Sequence, residues 1–547
     1  MKRTIFISFM LTVLFSACSL EENPQGYVTR ESFYKTEIQC WSALRSLYTP
    51  LHHIYTKEFM IATEGATDLW YLNSSKYYDA TLSLTPVTCG VATEVWKYAY
   101  KGIARANECI EYISKSPVKA SLRGPMVAEA RAMRALYYYL LTSFMGDVPF
   151  YIESVSDLDA LDYIRTLERK PASEIREFLC KDLIDNALPH FTEENGFRCR
   201  TNEISNQHAG YALTQMLIAK MAMWEQKWDV AITAIEGLED VYKVFDEKNF
   251  PLEHIKWSEK MTDETIFEIQ HEWKVNGTKF YGEIAPVMTP KCSGNGIYDG
   301  VYMPGLAQTG TTATPMRANT HFALFKSSKN GLNAKEDSIF PAIDRDAINN
   351  GQIPDRRIFL MFGIGDIETG NDQTSLESSK VFQNVNKTGN LYGGPKFWCY
   401  DMTGTYDSNN YRIFRYADAL LMKAECLYMK NGDADGAAHY INMVRKRAYT
   451  DPQTLVLSSS YSDYTPDGDV MKMICYERAR ELGGEFHRKF DLVRWGIWLR
   501  ETRAFNESPK GLADNARAYH EFYPIPETEC ALSGGVLSND KYMTDNE

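Results

Sequence analysis

Apolar residues recur at intervals of three and four downstream of Pro125, at Met126, Ala130, Met133, Tyr137, Leu140, Leu141 and Phe144. That spacing places them on one face of an amphipathic helix. The helix is predicted to start at Pro125 and to stop at Gly146-Asp147-Val148-Pro149, because proline fits a first helical turn and cannot continue a helix. A second pair of helices follows. Tyr211, Met216, Ala219, Lys220 and Met223 belong to a helix ending near Trp224, and Trp228 to Leu238 forms its partner, with Ala231, Ile232 and Ile235 inward. Large aromatics alternating with alanine and glycine allow two helices to approach closely, as in a tetratricopeptide-like hairpin. From about Phe250 to Tyr411, clusters such as Ser293-Gly294-Asn295-Gly296 and Gln308-Thr309-Gly310-Thr311-Thr312 interrupt every periodic run. This stretch reads as loops with short strands, and a loop excursion of this length inside a compact body is more often functional than idle. Helical periodicity returns with Ala417, Leu420, Leu421, Ala424 and Leu427, then with Ile441, Val444 and Ala448. The predicted fold class is therefore mostly α, a tetratricopeptide-like helical-hairpin scaffold with a long loop-rich insert.

The first residues carry a different pattern. Lys2 and Arg3 precede an apolar run from Ile5 to Ala17. That run is shorter than the roughly twenty residues needed to span a bilayer and has the form of a secretory signal peptide. It ends in Leu14-Phe15-Ser16-Ala17-Cys18. Small residues directly before a cysteine resemble a lipoprotein processing site, with Phe15 in place of the usual leucine, and Cys18 is the expected lipid-bearing residue. Glu21-Glu22 follow closely, as in a surface-export signal or a solvated linker. No later run approaches about eighteen apolar residues, so attachment would be by lipid rather than by a span. The organisation expected is a signal peptide over 1–17, a helical scaffold over 18–250, a loop-rich insert over 251–410, and a helical part over 411–547 completing the same body.

Composition narrows the function. Of the 547 residues, 44% are hydrophobic and 24% charged, which is ordinary globular usage with ample core. A net charge of −13 argues against nucleic acid, whose phosphates need a basic face. With Cys18 acylated, the other cysteines are widely scattered and contain no C-x-x-C. They read as buried thiols rather than as a zinc module or disulfide framework.

Several phrases, in order, are similar to those of one family. They are Trp96-Lys97-Tyr98 with Ile103-Ala104-Arg105-Ala106-Asn107; Ala128-Glu129-Ala130-Arg131 through Arg134-Ala135-Leu136-Tyr137-Tyr138 to Gly146-Asp147-Val148-Pro149; and Glu264-Thr265-Ile266-Phe267-Glu268. Further along come Phe414-Arg415-Tyr416-Ala417-Asp418 with Leu421-Met422-Lys423-Ala424-Glu425, Ile441-Asn442-Met443-Val444-Arg445, the block from Glu477-Arg478 to Arg494-Trp495-Gly496, and Tyr523-Pro524-Ile525-Pro526. The chain resembles the SusD/RagB family of outer-membrane nutrient-binding lipoproteins. The resemblance implies a tetratricopeptide-like body that docks on a SusC-like TonB-dependent transporter. It implies capture of an oligosaccharide or polysaccharide at the cell surface, with no catalysis and no cofactor. The alternatives are a surface glycoside hydrolase and a peptide-binding or adhesive surface protein.

Glu477, Arg478, Glu481, Glu485, Arg488, Asp491 and Arg494 contain enough carboxylates for a glycosidase pair. Arginine pairing is the better reading, with Arg478 and Arg488 neutralising Glu477 and Glu481. Such pairing lowers carboxylate pKa values and disqualifies a general acid. Asn431-Gly432-Asp433-Ala434-Asp435-Gly436 mimics half a calcium loop, but its closing position is Asn442 where a bidentate glutamate is needed. Asp433 or Asp435 is instead expected to cap the next helix. His271-Glu272 begins like H-E-x-x-H but ends on Val275, and His52-His53 is the only histidine pair; no metal site is expected. Asp68-Leu69-Trp70-Tyr71-Leu72-Asn73, followed by Tyr77-Tyr78, places aromatics in a polar segment between helices. Trp70 and Tyr71 are the expected stacking platform for sugar rings, with Asn73 bonding hydroxyls. Tyr281, Tyr298 and Tyr302 are the candidates from the insert, where the resemblance also places ligand contacts. Plugging of the helical body is the competing role for Trp70.

One expectation can be checked directly on cells. Cys18→Ala should abolish palmitate labelling and leave the protein released or unprocessed; labelling unchanged from wild type would refute the assignment.

Overall fold

The long amphipathic runs form paired helices in the computed structural model, which describes residues 30–155, 157–198, 208–244, 264–271, 282–288, 297–298, 301–302, 316–319, 321–325, 339–343, 355–363, 392–397, 407–449, 470–540 and 542. After α1 (Glu37–Arg45), α2 (Gly90–Ser114) lies along α3 (Ala120–Met145). Their close approach depends on Gly102, where a Cβ would stand 2.2 Å from the Tyr137 ring. The start of α3 differs from expectation: it lies at Ala120, with Pro125 inside the helix. Arg123 donates to the Ser116 carbonyl at 3.0 Å, which ties the extra turn down despite the hydrogen bond that proline removes. The helix ends where predicted, at Gly146, whose φ is +74°.

The stack continues with α4 (Ala172–Asn186), α5 (Tyr211–Trp224), α6 (Trp228–Glu239), α7 (Tyr416–Asn431) and α8 (Ala434–Ala448). Each packs on the next: α3 on α4, α4 on α5, α5 on α6, α6 on α7, and α7 on α8. This is a tetratricopeptide-like array, and the mostly helical fold class holds. Between α7 and α8, Gly432 takes the left-handed conformation at φ +68° and Asp433 caps α8 by accepting from the Gly436 amide at 2.8 Å. No described helix is long and apolar enough to cross a membrane.

The strands are short, and among the described residues they pair only in twos. β1 (Trp70–Leu72) runs antiparallel to β5 (Met316–Ala318), and β2 (Thr265–Ile269) to β10 (Tyr411–Arg415). β3 (Ile297–Tyr298) pairs with β4 (Val301–Tyr302). β6 (Ala323–Phe325) and β7 (Phe340–Ile343) are parallel, and β8 (Phe362–Gly363) pairs with β9 (Tyr392–Gly393). One apolar cluster includes buried residues from Tyr34 to Leu537, so scaffold and insert share a core. The described cysteines are free thiols, nearly all buried.

Charge holds the insert to the helices. Helix α9 (Val470–Leu482) carries Glu477 and Glu481, and α10 (Arg488–Arg494) follows. Glu481 receives Arg415 at 2.6 Å, Arg447 at 2.7 Å and Arg357 at 3.0 Å, all buried. The partners differ from those expected. Glu477 pairs with Arg357 at 2.8 Å and Arg480 at 2.9 Å. Arg478 pairs instead with Asp418 at 2.9 Å and Asp491 at 2.7 Å, and Arg488 with Asp68 at 2.5 Å. Carboxylates from other elements, Asp418 on α7 and Asp68, thus share Arg478 and Arg488 with the acids of α9 and α10. A comparable anchor lies at Glu64, in a π-helical turn over Ile61–Gly65. Its carboxylate accepts from the backbone amides of Gly484 at 3.0 Å, His487 at 3.0 Å and Arg488 at 3.3 Å.

The platform expected at Trp70 and Tyr71 is corrected. Trp70 is fully buried. Its indole meets Phe322 edge-on at 5.5 Å and Phe397 edge-on at 6.0 Å, with Phe362 at 5.9 Å. Tyr71 keeps only 9% of its surface. The cause is Asp68: clasped by Arg488 at 2.8 and 2.5 Å, it can enter the interior with the segment that it made to look solvated. Trp70→Ala is therefore expected to cost about 3 to 5 kcal/mol of stability, read as a large drop in denaturation midpoint; a melting temperature within a degree or two of wild type would contradict this placement.

Candidate functional site

The segment that carries Trp70 into the core returns to the surface a few residues later. Asn73 is half-buried, and Tyr78 stands 49% exposed. Turn hydrogen bonds fix this return: the Tyr78 carbonyl accepts from the amides of Thr81 at 3.3 Å and Ser83 at 3.1 Å. Asn515 donates to the Thr81 carbonyl at 2.7 Å. Opposite stand two short helices, Leu51–Ile54 and Lys57–Met60, the second capped by Thr56. The first turn of α2 closes the end. Between them lies a groove of about 520 Å³, within the range of small-ligand sites.

Its lining is mixed in the way that a polyol site requires. His53, Tyr77 and Tyr78 supply rings; Glu58, Lys76, Asp79 and Glu94 supply charge; Thr56, Thr88 and Thr93 supply hydroxyls. His53 is held by stacking on Tyr98, with centroids 4.1 Å apart and planes 5° from parallel. Lys97 sits 4.8 Å from the Tyr98 centroid. Lys57 reaches Glu283 of the insert at 3.1 Å, so insert and scaffold meet at the rim. Burial pushes the Tyr77 phenol up, against the opposing pull of Lys57.

Asp79 is the unusual member. It is 7% exposed, and its Oδ1 has no hydrogen-bond partner among the described residues. The Tyr523 hydroxyl lies beside it and pulls its pKa down. Burial pushes the Asp79 carboxyl up to about 6, with Lys489 pulling down and Glu58 pushing up. Cys89 and Tyr542 also feel its charge. Lys489, on α10, is itself pushed down to about 7 by burial. It donates to the His520 carbonyl at 2.8 Å and lies 4.4 Å from the Tyr523 ring centroid.

The acid-rich helices offer no comparable opening. Burial alone would raise Glu477 and Glu485, but arginines outweigh it and hold both down at about 2. Glu481 lies well below the carboxylate range for the same reason. A general acid needs the opposite shift. Asp68, His321 and Glu501 could bring three ligand atoms together, but Arg488 holds Asp68 and Arg500 holds Glu501 at 2.6 Å.

Comparison with known proteins agrees at both ends of the chain. A family model described as "SusD family" matches residues 372–542, and one described as "Starch-binding associating with outer membrane" matches residues 28–183. SusD-like protein P25 of Formosa agariphila is 24% identical over 549 residues, covering 95% of this chain and 94% of that protein. The chain belongs to the SusD/RagB family. Solved structures of SusD type share its fold. A SusD homolog from Bacteroides thetaiotaomicron superposes with a TM-score of 0.69 at 19% identity, covering 94% of this chain and 98% of that one. Surface glycan-binding protein A from Bacteroides fluxus gives 0.63 at 19% identity, covering 91% and 97%.

Within this SusD/RagB chain the expected site residues fare unevenly. Cys18 and Tyr281 lie outside the described residues. Tyr298 and Tyr302 fall in the β3–β4 pair, facing Val301 and Ile297 in register. Tyr77 and Tyr78, the tail of the aromatic cluster, line the groove, whereas its head, Trp70, does not. Reading the sequence missed Glu58, Asp79 and Glu94. Isolated acids carry no spacing signal; only an aspartate flanked by Tyr77-Tyr78 and Ala80 hinted at a partly buried carboxylate.

Asp79 sets a pH dependence with a definite sign. Its folded pKa, about 6, exceeds its ordinary value of 3.8, so the buried charge penalises folding fully above pH 6 and not at all below about pH 4. Asp79→Asn should therefore raise stability at pH 7.5 by about 2 kcal/mol, and the gain should vanish near pH 3. Thermal melts at the two pH values check this; a loss of stability at pH 7.5 would contradict it.

Proposed function

We propose that this protein is a surface glycan-binding lipoprotein, anchored through Cys18 to the outer membrane, that captures an oligosaccharide or polysaccharide and delivers it to a SusC-like TonB-dependent transporter. The observation that carries the reading is the groove beside Tyr77 and Tyr78. Sugar rings present C–H faces that stack on electron-rich aromatic faces, and their hydroxyls pair with carboxylates, lysine and threonine. An exposed tyrosine on a loop fixed by turn hydrogen bonds is suited to that contact at little ordering cost. Membership in a family whose models and relatives are named for starch and glycan binding supports the same ligand class. Tyr281, Tyr298 and Tyr302 stay candidate contacts from the insert. A binding role without hydrolysis is favoured because the acid-rich helices α9 and α10 hold their carboxylates paired with arginines.

Calorimetric titration of a glycan panel tests this reading. At least one glycan should bind, and Tyr78→Ala should weaken it five- to tenfold, by roughly 1 to 1.5 kcal/mol, with little change in melting temperature. Prolonged incubation should give no shorter products. Products that disappear on mutation of a single acid would overturn the binding-only reading.

A further inference from the structure

Leu82 holds a backbone conformation that leucine rarely adopts. Its φ is +49°, in the left-handed region, where the Cβ of an L residue crowds the following carbonyl oxygen. Glycine would take that φ without steric cost. A bulky residue keeps it only where its surroundings over-determine it. Here restraint comes from two directions. The Leu82 side chain is buried in the apolar core, as is that of Leu84. The residues on either side of Leu82 are tied back to one carbonyl. The Tyr78 carbonyl accepts from the Thr81 amide at 3.3 Å, the Thr81 hydroxyl at 3.2 Å and the Ser83 amide at 3.1 Å. The Thr81 and Ser83 hydroxyls meet at 2.7 Å. From the far end of the chain, the exposed Asn515 donates to the Thr81 carbonyl at 2.7 Å.

The strained residue sits where it can act on the groove. Tyr77 and Tyr78, a few residues before it, line the groove. Tyr77 packs against the apolar cluster, whereas Tyr78 stands half in solvent. The backbone at Tyr78 is therefore held by the turn that Leu82 closes rather than by burial of its own side chain. The Tyr77 carbonyl is held in the same way, by the Ala80 amide at 3.1 Å.

We propose that Leu82 is a positioning residue for glycan binding: its burial keeps the strained turn closed and so presets Tyr78 at the groove, with Asn515 as the second restraint. The inference rests on the glycan-binding reading and adds how the site is ordered before a ligand arrives. An aromatic whose backbone is already fixed loses less conformational freedom on binding than one on a slack loop.

The test is calorimetry on the purified full-length protein with maltoheptaose, laminarihexaose, xylohexaose and mannohexaose, the tightest binder being carried forward. Leu82→Gly, which frees the turn, and Asn515→Ala, which removes one exposed side chain, should each weaken that binder about three- to fivefold, seen as a less favourable binding entropy. Neither change should matter once Tyr78 is already alanine. Leu82→Met, which keeps a bulky apolar side chain for the core, should bind as wild type does. Without ligand, amide hydrogen exchange at Thr81 and Ser83 should quicken in Leu82→Gly and Asn515→Ala. Should Leu82→Gly fail to fold, Asn515→Ala carries the test. Losses of the same size with and without the Tyr78 ring would overturn the proposal, since general loosening would produce them. Wild-type affinity in Asn515→Ala despite quickened exchange would overturn it too, and either result leaves the glycan-binding reading standing. No binding by any of these oligosaccharides would sink both.

Discussion

Three arginines reach Glu481 from three parts of the chain: Arg357 from the insert, Arg415 from the end of β10, and Arg447 from the end of α8. Each is buried, and each bonds a second carboxylate: Arg357 to Asp355, Arg415 to Glu485, Arg447 to Glu264. The result is a lattice of charge in which no ion is left alone. Removing one member of such a lattice is expected to cost about 3 to 5 kcal/mol, because the remaining charge is stranded in a low-dielectric interior. Apolar packing could hold helices together without it. What the lattice adds is register. An irregular insert has few periodic faces with which to find its place, and the lattice gives it fixed points.

The same device explains why the aromatic segment was misread. Asp68, Trp70 and Asn73 make a polar-looking stretch when charge is taken as a mark of solvent. Arg488 cancels that mark by folding onto Asp68 from a position more than four hundred residues away. No local window contains that information. The helical scaffold was far more legible, because its signal is local: periods of three and four in α3, α5 and α7, the Gly432-Asp433 punctuation, and alanine or glycine where Gly102 meets Tyr137. The E-x-I-F-E strand was legible from its resemblance alone. The groove was half legible. Tyr77 and Tyr78 announced themselves as aromatics in a loop, whereas Asp79 became notable only once its burial and its missing partner were known.

The groove draws on both ends of the chain. Its walls come from the first ninety-odd residues, and the groups behind it, Lys489 and Tyr523, come from the last sixty. The groove is thus framed by residues from the two ends of the chain, with the insert meeting it at Glu283.

The π-helical turn at Ile61–Gly65 has a consequence for how the molecule comes into being. Glu64 completes its hydrogen bonds only with backbone amides 420 residues or more further along the chain. Until those residues are available, a carboxylate in the middle of the early core has nothing to bond but water. The early helices can form, yet they cannot close over Glu64. Contacts of such long sequence separation make folding slow, and here they make it wait for nearly the whole polypeptide.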